Sequence, residues 1–274
     1  SDEDIIAKLD AWQTTSAIEL KRPVDTYPTF FGHAGFEKFR VMSQNECVEI
    51  LRHLSILPSH RYVDEPNYSF VKTGDRKLAR RILEPIFCPE VDRRIVEFFR
   101  SEYLVKWFTF TRVLPSSKPG VSFLWHADQG PGFHVKALLY LTGTSEHGGR
   151  TDFIPTPSTL RIAEEGGYAP YELELREDSL EAYAKKAGVE WPQPTFPIEA
   201  GEMVLFKPTA VYHRGILPTR NARFAVQVCV MPSPEFWIHR FERNEMMSYQ
   251  TPDALAWEAG EPVDGETMRK TADW

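Results

Sequence analysis

The feature that most constrains the fold is a histidine–aspartate pair in the stretch Phe123–Gln129, which reads FLWHADQ. His126 and Asp128 stand two positions apart after an apolar run. In an extended strand, the side chains of residues i and i+2 point to the same face. The spacing therefore predicts a strand end that projects one imidazole and one carboxylate side by side, as two ligands of a metal site.

A third ligand is expected from a distant segment. His213 lies in Val211–Gly215, between two strand-like segments, and Arg223 follows it ten residues later at the start of an apolar run. Two histidines and one carboxylate form a facial triad that leaves coordination positions open for substrate and O₂. His134 is the rival ligand, and its alternative role is that of a loop or strand-end histidine. The pair alone could equally be a turn histidine beside a capping aspartate.

Segments with strand-like patterns surround these residues. Val105–Leu114 alternates between two sets of side chains, as a strand does. Val135–Gly143 and Gly148–Pro155 read as two strands joined by a polar turn, in which His147 is expected to be exposed. Glu199–Phe206 reads as a turn followed by a strand. These patterns predict a core that is mainly β-structure.

Helices are predicted before the strands. Ser43–Glu46 has the form of a capping box, which predicts a helix that continues to about Leu54. Pro89 near the first position of a helix predicts a second one, over Pro89–Leu104. Both would pack against the β-structure.

Several of these segments together resemble the non-haem Fe(II), 2-oxoglutarate-dependent oxygenases, with phytanoyl-CoA-dioxygenase-like and prolyl-hydroxylase-like features. The resemblance spans about residues 105–232. It rests on the pair His126-x-Asp128, the Leu138–Leu141 strand, Gly148–Thr151 with Phe153–Pro155, and His213 with Arg223. It implies a mainly β fold with flanking helices, whose core is a cupin-like double-stranded β-helix, or jelly-roll.

The resemblance also implies a set of ligands and a reaction. His126, Asp128 and His213 would bind Fe(II), and the far carboxylate of 2-oxoglutarate would pair with Arg223. Arg220, in the preceding turn, is the alternative partner of that carboxylate. With O₂ as the oxidant, a C–H bond of a small-molecule or amino-acid-like substrate would be oxidised, and succinate and CO₂ would be released. The halogenating relatives have a small residue in place of the carboxylate of Asp128, so the resemblance implies hydroxylation first, or another oxidation such as desaturation or ring formation.

Three alternatives remain open at this stage. One is a protein or peptide side-chain hydroxylase of the same superfamily. Another is a cupin-type metalloenzyme that does not use 2-oxoglutarate, in which Arg223 would be structural. The third is a barrel-shaped binding protein without catalysis.

The same patterns divide the chain into regions. Residues 1–104 are expected to form a helical or irregular region packed on the core, and residues 105–232 the catalytic double-stranded β-helix. Residues 156–197, called the insert below, interrupt this core and would act as a lid or as a packing elaboration. Residues 233–274 are predicted to be a C-terminal extension.

Candidate substrate-binding residues lie beside the predicted site. Aromatic side chains could line its mouth, and arginines could meet an anionic group of the substrate. The candidates are Trp107, Arg112, Trp125, Phe133 and Arg150.

Composition limits the partners and the compartment. A net charge of −7 argues against a nucleic-acid partner, which usually requires a basic face. Three widely spaced cysteines fit a reducing compartment better than a disulfide scaffold. No segment approaches the ~20 apolar residues of a membrane helix, and no signal peptide is recognisable. Cytoplasmic location is therefore expected, and nothing in the sequence favours one oligomeric state.

Overall fold

A computed structural model of the chain describes residues 30–54, 59–61, 68–71, 76–128, 134–170 and 173–243. Phe133, and the predicted C-terminal extension from residue 244 onward, lie outside these residues.

Two antiparallel sheets form the centre of the fold. The larger has seven strands in the order β1-β7-β5-β9-β4-β3-β2, and the smaller pairs β6 with β8. The strands of the larger sheet are β1 (Phe36–Arg40), β2 (Ser59–Arg61), β3 (Tyr68–Val71), β4 (Glu102–Val113), β5 (Val135–Tyr140), β7 (Glu202–Phe206) and β9 (Arg223–Ser233). The smaller sheet consists of β6 (Arg150–Ile154) and β8 (Tyr212–Ile216).

The chain alternates between the two sheets as it advances from β4 to β9. Strands β4, β5, β7 and β9 belong to the larger sheet, whereas β6 and β8 belong to the smaller one. Between β4 and β5, His126 forms a single bridge to His213 of β8 and so extends the smaller sheet. This alternation is the winding of a double-stranded β-helix, and it confirms the predicted fold class.

The long pair β4–β9 separates two environments. Its register runs from Glu102↔Ser233 to Val113↔Arg223, with an irregularity between Val105 and Trp107. One face packs against the helices through buried side chains that include Phe108, Phe110, Val226 and Val228. Side chains alternate across a strand, so the opposite face turns into the barrel. That inner face carries Trp107, Thr109, Thr111, Ala225 and Cys229.

The helices cover the outer face of the larger sheet and the ends of the barrel. They are α1 (Phe30–Ala34), α2 (Gln44–Leu54), α3 (Arg76–Ile86), α4 (Pro89–Phe99), α5 (Thr144–His147), α6 (Thr156–Arg161), α7 (Glu181–Lys186) and α8 (Trp237–Glu242).

The predicted capping box of α2 is confirmed: the Ser43 amide donates to Glu46 Oε2 at 2.8 Å, and the Glu46 amide donates to Ser43 Oγ at 3.3 Å. Helix α4 ends five residues earlier than predicted, because Arg100 adopts the left-handed region at φ 53° and β4 begins at Glu102.

The N-terminal region contributes to the larger sheet as well as to the helical layer. Strand β1 pairs with β7 along Phe36↔Phe206 to Arg40↔Glu202, while β2 and β3 extend the other edge. The predicted helical or irregular region therefore supplies three strands. These strands have 5, 3 and 4 residues, too few for an alternating pattern to stand out in the sequence.

The insert has a small apolar core of its own. Besides α6 and α7 it contains a π-helical turn over Ile162–Gly166 and a 3₁₀ turn over Leu173–Leu175. Its buried side chains Ile162, Tyr168, Leu180 and Ala184 form one cluster with Trp125, Ile154 and Tyr212 on the back of the smaller sheet. This arrangement favours the packing alternative over a freely moving lid.

Two further observations bear on the composition-based expectations. Cys47, Cys88 and Cys229 are all free thiols. Within the described ranges, none of the helices has both the length and the apolar character that a membrane crossing requires.

The expectation that His147 is exposed is wrong, since its side chain is fully buried beside the Gly148–Gly149 turn. Its Nε2 lies 3.1 Å from the Thr142 carbonyl oxygen, and the Gly149 amide donates to its Nδ1 at 3.0 Å. A ring nitrogen that accepts a hydrogen bond requires the neutral imidazole. Burial accordingly lowers the pKa of His147 to about 4.

Acid should therefore destabilise the fold through His147. Between the ordinary histidine pKa of about 6.5 and about 4, the unfolded chain binds a proton here that the folded chain does not. The free energy of unfolding should thus fall as the pH falls through this window. Thermal unfolding of His147→Gln should show a shallower pH dependence, by up to about one bound proton. His33→Gln, at an exposed histidine, is the control, and identical slopes for wild type and His147→Gln would contradict the prediction.

Candidate metal centre

Three side chains converge at one end of the barrel. Potential ligand atoms of His126, Asp128 and His213 all lie within 4.8 Å of one another. Nε2 of each histidine is 3.7 Å from Asp128 Oδ1, and the two imidazole centroids are 4.4 Å apart. Both histidines are buried and Asp128 is half-buried. The group supplies two nitrogens and one oxygen to a single point.

The backbone sets this convergence. The His126 amide donates to the His213 carbonyl at 3.0 Å, and the His213 amide returns a bond of 2.8 Å to the His126 carbonyl. The two residues are thus a hydrogen-bonded cross-strand pair, whose side chains point the same way. The Asp128 amide donates to the Pro208 carbonyl at 2.9 Å, which fixes the aspartate beside them.

The predicted regular strand through His126 and Asp128 is not present. A 3₁₀ turn over Val121–Phe123 precedes single bridges at Trp125 and His126. The Pro119-Gly120 dipeptide before it is a turn-forming sequence. The side chains of His126 and Asp128 nevertheless converge, because the segment stays extended where it meets β8.

Backbone carbonyls fix the histidine tautomers. His126 Nδ1 lies 2.7 Å from the Leu124 carbonyl oxygen, and His213 Nδ1 lies 3.1 Å from that of Val211. Each Nδ1 carries the proton in order to donate to its carbonyl, which leaves Nε2 with a lone pair directed at Asp128. This arrangement of ligand and supporting carbonyl is typical of metal-bound histidine.

The charge states also suit a divalent cation. Burial lowers the pKa of both histidines, that of His126 well below its ordinary value, so both rings are neutral near pH 7. Burial alone would raise the pKa of Asp128, but the Lys136 ammonium is the main opposing charge and the net shift is downward, so the carboxyl is ionised. Neutral imidazole and carboxylate are the forms that bind metal. Two nitrogens and one oxygen on one side fit Fe(II) with open positions opposite.

Lys136 is a neighbour of the triad that the sequence interpretation missed. Its Nζ lies 2.5 Å from Asp128 Oδ2 and 5.4 Å from the centroid of the Trp107 ring. The alternation of β5 places Lys136, Leu138 and Tyr140 on the same face, with Lys136 opposite Cys229 and Tyr140 opposite Ala225. The period-2 alternation along Val135–Tyr140 is the sequence signal that could have predicted the inward direction of Lys136.

Arg223 lies inside the barrel at the start of β9. Its side chain is buried, and Nη1 donates over long distances, to Tyr140 Oη at 3.4 Å and to the Arg150 carbonyl at 3.3 Å. Tyr140 Oη is itself 3.0 Å from Thr151 Oγ1. Among the described residues, no carboxylate pairs with Arg223 and its Nε has no hydrogen-bond partner. A buried guanidinium that lacks a carboxylate partner among the described residues is suited to bind an anionic ligand.

Arg220, the alternative, lies elsewhere. Its side chain is exposed and donates to the Ser145 carbonyl at 2.9 Å, outside the barrel. The placement of the two arginines therefore favours Arg223 as the partner of an anion in the interior.

Of the five candidate substrate residues, the structure places one on the inner face of the larger sheet. Trp107 faces the interior beside Lys136. Arg112 pairs with Phe224 on the opposite, helix-covered face, with its guanidinium 5.9 Å from that ring. This corrects the expectation for Arg112, since the alternation of β4 turns it away from the triad.

Trp125 and Arg150 also point away from the triad. Trp125 is buried against the insert, because its neighbour His126 takes the inward direction. Arg150 Nε donates to Asp152 Oδ1 at 2.6 Å on the outer face of β6, whereas Thr151 and Phe153 face inward. Both expectations of a substrate contact are corrected by these positions. Phe133 lies outside the described residues.

The rival ligand His134 is buried. It is not a member of the metal-compatible group, and no second group of this kind occurs in the part of the chain that the structure describes. A further cation comes from the insert: Arg176 lies near enough to lower the pKa of both His126 and His213.

The sequence matches no family model and no curated protein. Solved structures do resemble the fold. HygX from Streptomyces hygroscopicus, with nickel and 2-oxoglutarate bound, is 14% identical with a TM-score of 0.47, over 74% of this chain and 85% of that one. The non-haem α-ketoglutarate-dependent carbocyclase SnoK of nogalamycin biosynthesis is 19% identical with a TM-score of 0.48, over 87% and 92%.

A third similar structure is an oxidoreductase of the 2OG-Fe(II) oxygenase family from Burkholderia pseudomallei. It is 12% identical with a TM-score of 0.44, over 82% of this chain and 92% of that one. The neighbours are thus 2-oxoglutarate-dependent enzymes, and a His-Asp-His triad is present in this chain. At these identities and TM-scores, the reaction and the substrate have to be argued from the site itself.

Proposed function

We propose that the protein is an Fe(II)- and 2-oxoglutarate-dependent oxygenase that oxidises a C–H bond of a small-molecule substrate. One observation carries the proposal: a metal-compatible triad occurs in the same barrel as a buried guanidinium that has no carboxylate partner among the described residues. The triad accounts for a metal, and the guanidinium accounts for an anion that binds beside it. A metal site that binds no anionic cosubstrate would not need the buried guanidinium of Arg223.

The triad residues would hold the metal on one side only. His126, Asp128 and His213 supply three ligand atoms, which leaves further positions of an octahedral ion for other ligands. Bound iron would supply the activation of O₂, while 2-oxoglutarate is oxidised to succinate and CO₂. The ion pair of Lys136 with Asp128 Oδ2 leaves Oδ1 directed at both histidines, so the carboxylate presents one oxygen to the metal.

Arg223 would bind and orient the cosubstrate. A guanidinium can donate two parallel hydrogen bonds to a carboxylate, which fixes direction as well as position. Tyr140 Oη, held by Thr151, can donate a further bond to the same group. Arg223 would supply the positive charge for one carboxylate of 2-oxoglutarate, because the charge of Lys136 is already paired with Asp128.

The substrate would bind beside the metal, against the inner face of the sheet. Trp107 offers an aromatic surface there, and Lys136 lies next to it. The carboxylate Asp128 at the third ligand position argues against halogenation, so hydroxylation is the outcome we propose first, with desaturation and ring formation as its alternatives. A peptide side-chain hydroxylase remains the second candidate for the substrate class.

Anaerobic addition of Fe(II) and 2-oxoglutarate tests the function. We expect a weak visible absorption band that needs both additions and saturates at one equivalent of each. Admission of O₂ should then yield succinate. A cupin-type metalloenzyme would bind Fe(II) without a spectral response to 2-oxoglutarate, and a binding protein without catalysis would show neither. Fe(II) with succinate in place of 2-oxoglutarate is the control, and an equal band there would contradict the proposal.

A further inference from the structure

Each of the two histidine ligands is preceded by a residue that points into the insert. Trp125 comes directly before His126, and Tyr212 directly before His213. Successive side chains of an extended chain point to opposite faces. Trp125 and Tyr212 are therefore buried in the apolar cluster of the insert, while the two imidazoles turn towards the metal.

Tyr168 of the insert is hydrogen-bonded to both of these residues. Its Oη donates to the Trp125 carbonyl at 2.6 Å, and its own carbonyl accepts from Tyr212 Oη at 2.6 Å. Glu177 completes the connection, since its amide donates to Tyr168 Oη at 3.2 Å and its carbonyl accepts from the Trp125 amide at 2.8 Å. One buried residue, Tyr168, thus connects the backbone before His126, through its hydroxyl, to the residue before His213, through its own carbonyl.

Packing supports the same connection. The rings of Tyr168 and Tyr212 meet edge to face, with centroids 5.2 Å apart and an interplanar angle of 74°. The Arg214 guanidinium lies 4.7 Å from the centroid of the Trp125 ring. The Tyr212 amide donates to Thr159 Oγ1 at 3.0 Å. Movement of the insert as a lid would break the contacts of Tyr168 and Thr159 with Tyr212, directly behind the ligands.

We infer that the insert positions the two histidine ligands, and that Tyr168 is its central positioning residue. The inference rests on the proposed metal role of His126 and His213. The Trp125 carbonyl that Tyr168 holds belongs to the peptide unit joining Trp125 to His126, so a shift of this peptide moves the imidazole. Metal affinity depends on such outer contacts as well as on the ligands themselves. The insert would act on the site from behind, without touching the metal.

Tyr168→Phe tests the role of the hydroxyl while the ring stays in its cluster. Apo-protein titrated with Co(II) gives the metal affinity and, from the visible spectrum, the ligand geometry. We expect an affinity about tenfold weaker, at the low end of the ~10–100-fold effect of outer contacts, and an altered Co(II) spectrum. Tyr103→Phe is the matched control, because it removes the hydroxyl of a buried tyrosine that donates to Asp92 Oδ1 at 2.7 Å on the helix-covered side of the larger sheet, away from the insert. It should bind Co(II) as the wild type does.

Tyr212→Phe is the second variant, since it removes the other 2.6 Å bond to Tyr168 and leaves Tyr168 itself in place. It should change the Co(II) spectrum in the same direction, and it decides the question if Tyr168→Phe does not fold. Wild-type affinity and spectrum in both variants would overturn the inference while the metal site stands. Absence of Co(II) binding by the wild-type protein would overturn the proposed function and the inference with it.

Discussion

Alanine at position 213 should abolish stoichiometric Fe(II) binding. His213 would supply one of the three ligand atoms, and its Nδ1 bond to the Val211 carbonyl directs Nε2 towards Asp128. Without His213, the two remaining ligands His126 and Asp128 cannot define the facial geometry around the metal ion. The loss should exceed the ~10–100-fold effect of an outer contact. Metal content after anaerobic reconstitution and removal of unbound ion is the measurement.

The fold has to be tested separately, because the His213 ring packs against two phenylalanines. Its centroid lies 5.1 Å from that of Phe206 and 6.3 Å from that of Phe153. His213→Leu fills the space without offering a ligand, so it should unfold at nearly the wild-type temperature and still bind no iron. His134→Ala is the second control and should retain the metal. Full iron content in His213→Leu, together with loss in His134→Ala, would transfer the ligand role to His134.

Alanine at position 223 should greatly weaken 2-oxoglutarate binding and leave the metal site nearly intact. The side chain is buried without a carboxylate partner among the described residues, so a bound carboxylate would complete its pairing. Truncation of one partner of a buried charge pair costs about 2–5 kcal/mol. The measurement is the Kd of 2-oxoglutarate, from anaerobic titration of the Fe(II)-loaded protein.

Two variants make this test specific. Arg220→Ala removes a guanidinium of the same segment that binds the Ser145 carbonyl outside the barrel, and it should leave the Kd nearly unchanged. Arg223→Lys keeps the charge but loses the forked geometry, so its Kd should fall between those of wild type and Arg223→Ala. If Arg220→Ala had the larger effect, the assignment of the cosubstrate arginine would be reversed.

The sequence by itself determined the elements whose signal is local or periodic. The alternation of Val105–Leu114 predicts β4, and the capping box at Ser43–Glu46 predicts the start of α2. Residue types also limited the chemistry, because His126 is the only one of the eight histidines with a carboxylate residue two positions away, a spacing that sends both side chains to one face of an extended chain. The mainly β fold and the members of the triad group could therefore be stated before any coordinates.

Only the tertiary structure decided which side of each strand faces the site. Arg112, Trp125 and Arg150 were reasonable by type, yet each lies one step out of register with an inward-facing neighbour. A one-residue change of register reverses the face of every side chain in a strand, and the sequence does not show which face will be covered. Lys136 contacts Asp128 because the register of β5 turns its side chain to the inner face.

Long-range contacts decided how His126 meets His213 and how the insert packs. The cross-strand pair of His126 and His213 joins segments that are remote in sequence, and no local pattern encodes their hydrogen bonds. The insert shows this most clearly: its sequence allows a lid or a packed support, and the bonds of Tyr168 to Trp125 and Tyr212 favour the packed support. Hydrogen bonds and apolar burial between distant segments depend on how the whole chain folds, so they are fixed by the tertiary structure alone.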